Sequence, residues 1–302
     1  MRIVSLIPSA TEILFAIGAG DDVVGVTFEC DHPPAARERP VVSTSTMPEG
    51  LTARQIDEFV ARATSAGEDL YRLDAGALAG LDADLVVTQD LCAVCAVDVA
   101  SVGEALDHLG CTAEVVTTDP HDLDGVLASI ADLGRRTGRE QAAEELVTAL
   151  RARLASVAAR VAGRTRPRTL VLEWTDPPFS PGHWIPEMVR LAGGEPSIGS
   201  PGARSGRITW EDAQESRPDV VVCAPCGFDL DGAVRQAQDV ADRFPGVPVW
   251  AVDADGEFAR PGPRLVDGTE TLAAVLHPEA DGDASRVRAR LVTPPAGRAP
   301  GR

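Results

Sequence analysis

The sequence predicts an α/β protein of two lobes with parallel sheets, joined by one long helix. Three observations carry that prediction. Strand-like apolar runs alternate with helical patterns along the chain, which is the grammar of parallel α/β sheets. The second half repeats the plan of the first: LDAGALAGLDADLVVTQDLC and ITWEDAQESRPDVVVCAPC share a short helix, an Asp-containing turn, a buried strand and a cysteine. Between the halves, EQAAEELVTALRARLASVAARVA sets Leu146, Leu150, Leu154, Val157 and Val161 at helical spacing with no Pro and no interior Gly.

The first unit is the strand RIVSL, a turn at Pro8, and a helix near Ala10 to Ile17 closed by Gly18. Ser9 and Thr11 offer hydroxyls for the helix start, and Glu12 is expected in its first turn, where a negative charge suits the dipole. VVGV (Val23 to Val26), LVVT (Leu85 to Thr88) and EVVT (Glu114 to Thr117) read as further strands of this lobe. VGEALDHLGCTAEVVTTD and VRQAQDVADRFPGVPVWAVD share a second plan, helix, Gly-containing turn and strand ending in Asp. The divisions expected are 1–121 for the first lobe, 122–163 for the linking helix segment, 164–278 for the second lobe, and 279–302 for a tail. That tail is low in apolar residues and rich in Pro, Gly and Arg, a composition that predicts disorder.

Composition narrows the function classes. With 44% hydrophobic and 25% charged residues the 302-residue chain reads as globular and long enough for two cores. No run of eighteen apolar residues is present, so no transmembrane helix is expected. The net charge of −18 offers no basic field for a nucleic acid. Every basic side chain is Arg, since the chain has no Lys, which reads as codon bias in a GC-rich genome. The start MRIVSLIPSATEIL has neither a basic n-region nor an apolar h-region. A cytoplasmic location is therefore expected, or export should the true start lie upstream. In a reducing compartment the six cysteines would be thiols or metal ligands.

Ligands of open α/β sheets bind outside the carboxyl ends of the strands. Cys30, Asp31 and His32 follow one strand, Cys92 and Cys95 follow LVVTQD, Glu173 to Phe179 follow RTLVL, and Cys226 follows VVVCAP. Cys111 precedes its strand and reads as an inert buried thiol, and Cys223 falls within its strand. The thiols Cys30, Cys92, Cys95 and Cys226 leave three readings open: the rim of a ligand pocket, a soft-metal site for zinc or an iron–sulfur cluster, or a redox pair. The last would need a helix such as 97–109 after the CAVC pair. Enzyme templates fit poorly. Phosphate-binding, dinucleotide, nucleophile-elbow and zinc-protease motifs are missing, and Cys95 with His32 is the one nucleophile–base pairing on offer. EWTDPPFSPGHWIPEMVRLAGG is the other dense feature: Trp174, Phe179, His183 and Trp184 gather around fixed prolines in a chain with 4% aromatics. Such a concentration suggests the lining of a pocket for a flat ligand. Packing in the core is the competing reading for either tryptophan.

Together RIVSLIPSATEILFAIGAGDDVVGVT, CDHP, LDADLVVTQ, DPPFSPGHW and ITWEDAQESRPDVVV resemble the cobalamin-binding branch of the class III, helical-backbone periplasmic-binding-protein superfamily, over about residues 1 to 278. The resemblance implies two Rossmann-like lobes with a ligand cleft between them. It implies reversible binding of a corrinoid or related metal chelate, as in the substrate-binding proteins of ABC transporters, and no enzymatic activity. Phe179 matches a ligand-facing aromatic of the vitamin B12 binders, and Glu29, Gln89 and Ser205 stand where those proteins place large aromatics. Glu29, Gln89, His183 and Trp184 are therefore expected as ligand contacts beside Phe179. The four thiols have no counterpart in the periplasmic relatives. The family also docks on a permease through one acidic residue per lobe. Glu211 matches in the second lobe and Gly76 occupies the first-lobe position, with Asp74 nearby, so docking on an ABC permease is expected to be weak.

Overall fold

β-Branched runs too short for helices make the strands of the first sheet, and their register sets which residues reach its carboxyl edge. The computed structural model describes residues 1–89, 112–280 and 287–292. The chain divides into two compact units, residues 1–120 with 124–150, and residues 121–123 with 151–302.

In the first unit, β1 (Ile3–Ser5) leads into α1 (Pro8–Ala16), followed by β2 (Val23–Thr27), β3 (Val41–Ser45), α2 (Ala53–Ala66), β4 (Tyr71–Leu73), α3 (Ala75–Ala79), β5 (Leu85–Thr88), β6 (Glu114–Thr117) and α4 (Leu123–Arg136). The sheet order is β4-β3-β2-β1-β5-β6. All pairings are parallel except β3 with β4, where Ser45 lies opposite Tyr71. Val4, Leu6, Val42, Leu78 and Val86 form one buried cluster of this unit. The start of α1 differs from the expectation of hydroxyl caps. Pro8 opens the helix and no side chain caps it, because proline needs no N–H partner and holds a helical φ. Thr11 instead donates to Ser5 Oγ at 2.8 Å, and Glu12, beyond the first turn, is buried.

The helix α5 (Glu140–Val161) runs for 22 residues, about 33 Å at 1.5 Å per residue. It crosses the boundary between the two units at Leu150. α4 and α5 approach closely at Gly134, where an added Cβ would stand 2.4 Å from Ala143 Cβ.

The second unit contains β7 (Arg168–Leu172), β8 (Trp174–Thr175), β9 (Pro178–Ser180), α6 (Ile185–Leu191), β10 (Glu195–Pro196), β11 (Gly206–Arg207), α7 (Trp210–Glu215), β12 (Val220–Cys223), α8 (Leu230–Ala241), β13 (Val249–Val252), a π-helical turn at Asp255–Ala259, α9 (Leu265–Leu276) and β14 (Ala289–Val292). Its main sheet has the order β10-β7-β12-β13-β14, and a small antiparallel sheet has the order β11-β9-β8. Leu170, Leu172, Val221, Ala237, Val249 and Ala251 are fully buried between the main sheet and α8. Arg153 on α5 binds Glu270 of α9 through two nitrogens at 3.0 and 2.7 Å and also pairs with Asp267.

The tail is corrected by β14, which pairs antiparallel with β13 from Ala289 to Val292. Val292 at the end of β14 is buried, while Arg290 and Leu291 stay exposed along this outer strand. Arg288 pairs with Asp253, and Arg290 lies 3.2 Å from Asp231.

Candidate functional site

In the second unit the candidate site grows from the carboxyl end of β7. Glu173 ends that strand's run, and its Oε1 accepts the Gly182 N–H at 2.6 Å. The chain then folds back through β8 and β9, so that Trp174 lies opposite Phe179. On the other side β11 brings Arg207 opposite Phe179, with its guanidinium carbon 5.8 Å from the ring centroid. Such a cation over an aromatic face is attracted by the ring's quadrupole. Phe179 is half-buried. Trp174 donates its indole N–H to Asp176 O at 3.1 Å and meets Phe228 at 5.6 Å between centroids.

His183 follows on the same loop with φ at +49°. A β-carbon makes this left-handed conformation costly, and proteins retain it chiefly where surrounding contacts enforce it. Here the His183 N–H donates to Ala203 O at 2.6 Å, and His183 O accepts from Gly202 N at 2.9 Å. Gly182 is required beside it, since a Cβ there would stand 2.1 Å from Ser205 N. The His183 ring lies 6.2 Å from His121, nearly parallel, and 5.5 Å from Trp184. Its Nε2 is buried without a hydrogen-bond partner among the described residues. Burial first, then the neighbouring His121 and Arg204, hold its pKa below the ordinary 6.5. The imidazole is therefore neutral at pH 7, with one nitrogen available as a donor atom or acceptor.

Trp184 does not line this surface, contrary to expectation. It is 5% exposed and its indole N–H donates to Phe258 O at 2.8 Å, so the ring serves the core and its polar edge is already satisfied. Ser205 donates to Ser180 O at 2.9 Å, bracing the β9–β11 pair.

The thiols separate by environment. Cys30 is 4% exposed, with Sγ 3.0 Å from Thr11 Oγ1 inside the first unit. It is a packed thiol and not a rim residue. Cys223 is fully buried at the end of β12, and desolvation pushes its pKa far up, which excludes a thiolate. Cys226 is exposed, and its N–H donates to Glu173 O at 3.0 Å, at the carboxyl end of β7. Cys92 and Cys95, Cys111 and the stretch 97–109 lie outside the described residues. Among the described residues no group of three or more His, Cys, Asp and Glu is placed to hold a metal ion.

In the first unit, Glu29 is half-buried just beyond β2 and accepts the Tyr71 hydroxyl at 3.3 and 3.4 Å. Gln89 is buried just past β5. Asp74 caps α3, accepting the Ala77 N–H at 3.0 Å. Glu211 is exposed in the first turn of α7.

A family model described as periplasmic binding protein matches residues 3–252. The chain belongs to the periplasmic binding protein family. Membership makes it a binding protein and not an enzyme, and the two mixed, mostly parallel sheets are those of the family's two-lobe class III fold. This periplasmic binding protein is 24% identical over 295 residues to the ABC transporter substrate-binding lipoprotein YvrC of Bacillus subtilis, covering 92% of this chain and 80% of the relative. It is 24% identical to the vitamin B12-binding protein of Vibrio cholerae, covering 91% and 88%. Among solved structures it is similar to the periplasmic vitamin B12-binding protein of Vibrio cholerae (TM-score 0.63, 21% identity, 93% and 98% covered). A periplasmic heme-binding protein from Pseudomonas aeruginosa is also similar (TM-score 0.69, 20% identity, 98% and 99% covered).

Sequence reasoning missed Arg207, Phe228 and His121, which lie against Phe179, Trp174 and His183, and Tyr71, which is bonded to Glu29. Arg207 reaches Phe179 only through a pairing of two very short strands, which no periodicity announces. Tyr71 had one available signal, as the only tyrosine of the chain.

Proposed function

We propose that this binding protein holds a corrinoid reversibly, as the cargo of an ABC transporter, with Phe179 lying against the macrocycle and His183 giving a polar contact. The observation that carries the reading is the braced surface on β9: a half-buried Phe179 backed by Arg207, beside a neutral imidazole whose Nε2 has no partner among the described residues. A flat, mostly apolar ring suits the first, and a metal centre or amide N–H suits the second. Relatives named for vitamin B12 binding align with about nine-tenths of the chain, which supports the same choice.

A haem is the second reading, favoured by the near-parallel pair His121 and His183, since imidazole nitrogen is a common iron ligand. A zinc or iron–sulfur site would rest on Cys92 and Cys95, which lie outside the described residues. Calorimetric and spectral titrations with cobinamide, cobalamin, haemin and zinc separate the three. Saturable cobinamide binding that Phe179→Ala weakens threefold to tenfold supports the corrinoid. Binding of haemin or zinc alone contradicts it.

A further inference from the structure

The second unit has a cavity at the amino edge of its main sheet, away from Phe179 and His183, which follow the carboxyl end of β7. β7 begins at Arg168, a short turn after α5 ends at Val161, and β10 pairs beside it after α6 ends at Leu191. The cavity has a volume of about 330 Å³, near the lower end of the range of small-molecule sites. Val161, Ala162 and Leu191 give it an apolar lining, and Arg164, Arg166 and Arg190 give it three guanidinium groups. Among the described residues no acid lines it, in a chain where 46 acidic residues outnumber 28 basic ones.

A cation beside a helix C-terminus is favoured by the dipole alone, and Arg166 meets that need. Its Nη2 donates to Arg190 O at 3.0 Å and to Gly194 O at 2.7 Å, while Glu195 comes only within 3.9 Å. Arg164 donates to Arg160 O at 3.3 Å and pairs with the exposed Glu279 at 2.5 Å. These bonds hold both side chains in place and leave further N–H groups available, since each guanidinium carries five. The Arg190 side chain is exposed and has neither a hydrogen bond nor an ion pair among the described residues. No helix-capping role accounts for it. Three planar forks around one cavity suit a phosphate, whose several oxygens accept more N–H bonds than a single carboxylate can.

We infer that this cavity binds an organic phosphate monoester, with the phosphate among Arg164, Arg166 and Arg190 and the apolar body against Val161, Ala162 and Leu191. A soluble ester and a phosphatidate headgroup offer the same group, which carries nearly two negative charges at pH 7.

Phenyl phosphate titrated into the full chain at pH 7, followed by ligand-observed NMR, is the test. Saturable binding is expected, tighter than that of inorganic phosphate, weakened by salt, and with no counterpart for benzyl alcohol. Arg190→Gln should weaken it about threefold to tenfold. Ala162→Trp should crowd the apolar side and weaken phenyl phosphate while sparing inorganic phosphate. Both positions are exposed, so the fold tolerates the changes, and cobinamide titrations should be the same in both variants as in the parent. Sedimentation with phosphatidylcholine vesicles, with and without phosphatidic acid, separates the sources: binding to the phosphatidic acid vesicles that Arg190→Gln abolishes assigns the site to a lipid headgroup, and its absence assigns it to a soluble ester. No binding of phenyl phosphate, or binding that Arg190→Gln leaves unchanged, overturns the inference, and neither result touches the corrinoid reading.

Discussion

Replacing Glu257 by Gln should stabilise the protein at pH 8 and have little effect at pH 5. Glu257 sits on the π-helical turn at Asp255–Ala259, only 4% exposed, and its Oε2 accepts one hydrogen bond, from Thr271 Oγ1 at 2.8 Å. α9 presses on it: an added Cβ at Gly268 would lie 2.2 Å from the Glu257 carbonyl oxygen. Burial, and then the charges of Asp253 and Asp267, outweigh the Thr271 hydrogen bond and Arg288 and push its carboxyl up to about 7. The folded protein thus holds a proton that the unfolded chain releases near 4.5. Between those two values the folded state binds more protons than the unfolded one, so stability falls as pH rises through this window. At about 1.4 kcal/mol per pH unit, the loss accumulated by pH 8 is about 3 kcal/mol, reduced toward 2 by the solvent that still reaches the group. Gln keeps an acceptor for Thr271 and carries no charge, so it removes the loss. Thermal melts at pH 5, 6, 7 and 8 are the assay. The variant should melt about 5–8 °C above the parent at pH 8, given roughly 2–4 °C per kcal/mol, with the gap closing toward pH 5. A gap that stays constant from pH 5 to pH 8 would refute the reasoning.

Other predictions follow from the site. Gly182→Ala should cost about 3 kcal/mol, because the new Cβ meets backbone at 203–205 that cannot yield, with Ala203 O only 2.7 Å away; urea unfolding measures it, and a cost below about 0.5 kcal/mol would refute the close packing. His183 resists protonation when folded, so its contribution to stability is lost as pH falls below about 6.5, the opposite sense to Glu257. Melts of His183→Gln in the Glu257→Gln background should show the parent losing its advantage between pH 7 and 5, and parallel curves would contradict this. Docking on an ABC permease should be weak and should depend on Glu211, since Asp74 is already engaged as the cap of α3. Glu211→Ala should abolish what docking a pull-down with the transporter detects while leaving ligand affinity unchanged, and tight docking by the variant would show that another residue carries the contact.

Much of the fold was legible because it rests on unbroken apolar runs. RIVSL, VVGV, LVVT and EVVT are too short and too β-branched to be anything but strands, and all four appear, with EVVT only partly buried at the sheet edge. β3 and β4 were not readable: VVSTS is half polar and YRL has three residues, so neither shows a period, and Tyr71 went unnoticed with them. The tail failed for a different reason. Averaged over 279–302, Pro and Gly hide the four-residue stretch ARLV that pairs with β13 as β14. At the site, DPPFSPGHW marked the right loop, but sequence could not rank its aromatics. Phe179 faces Arg207 and Trp184 faces the core because backbone bonds to Ala203 and Gly202 turn the chain between them. Cys223 was already set apart inside its strand, but Cys30 and Cys226 looked alike at strand ends, whereas packing against Thr11 buries Cys30 and leaves Cys226 outside.

Isothermal titration of cobinamide into the purified full chain, followed by its visible spectrum, tests the central claim most directly. The account predicts saturable one-to-one heat at micromolar protein, a shift of the corrin bands, and a threefold to tenfold loss of affinity in Phe179→Ala. Silence with cobinamide and cobalamin, while haemin or a metal ion binds the same preparation, would contradict it.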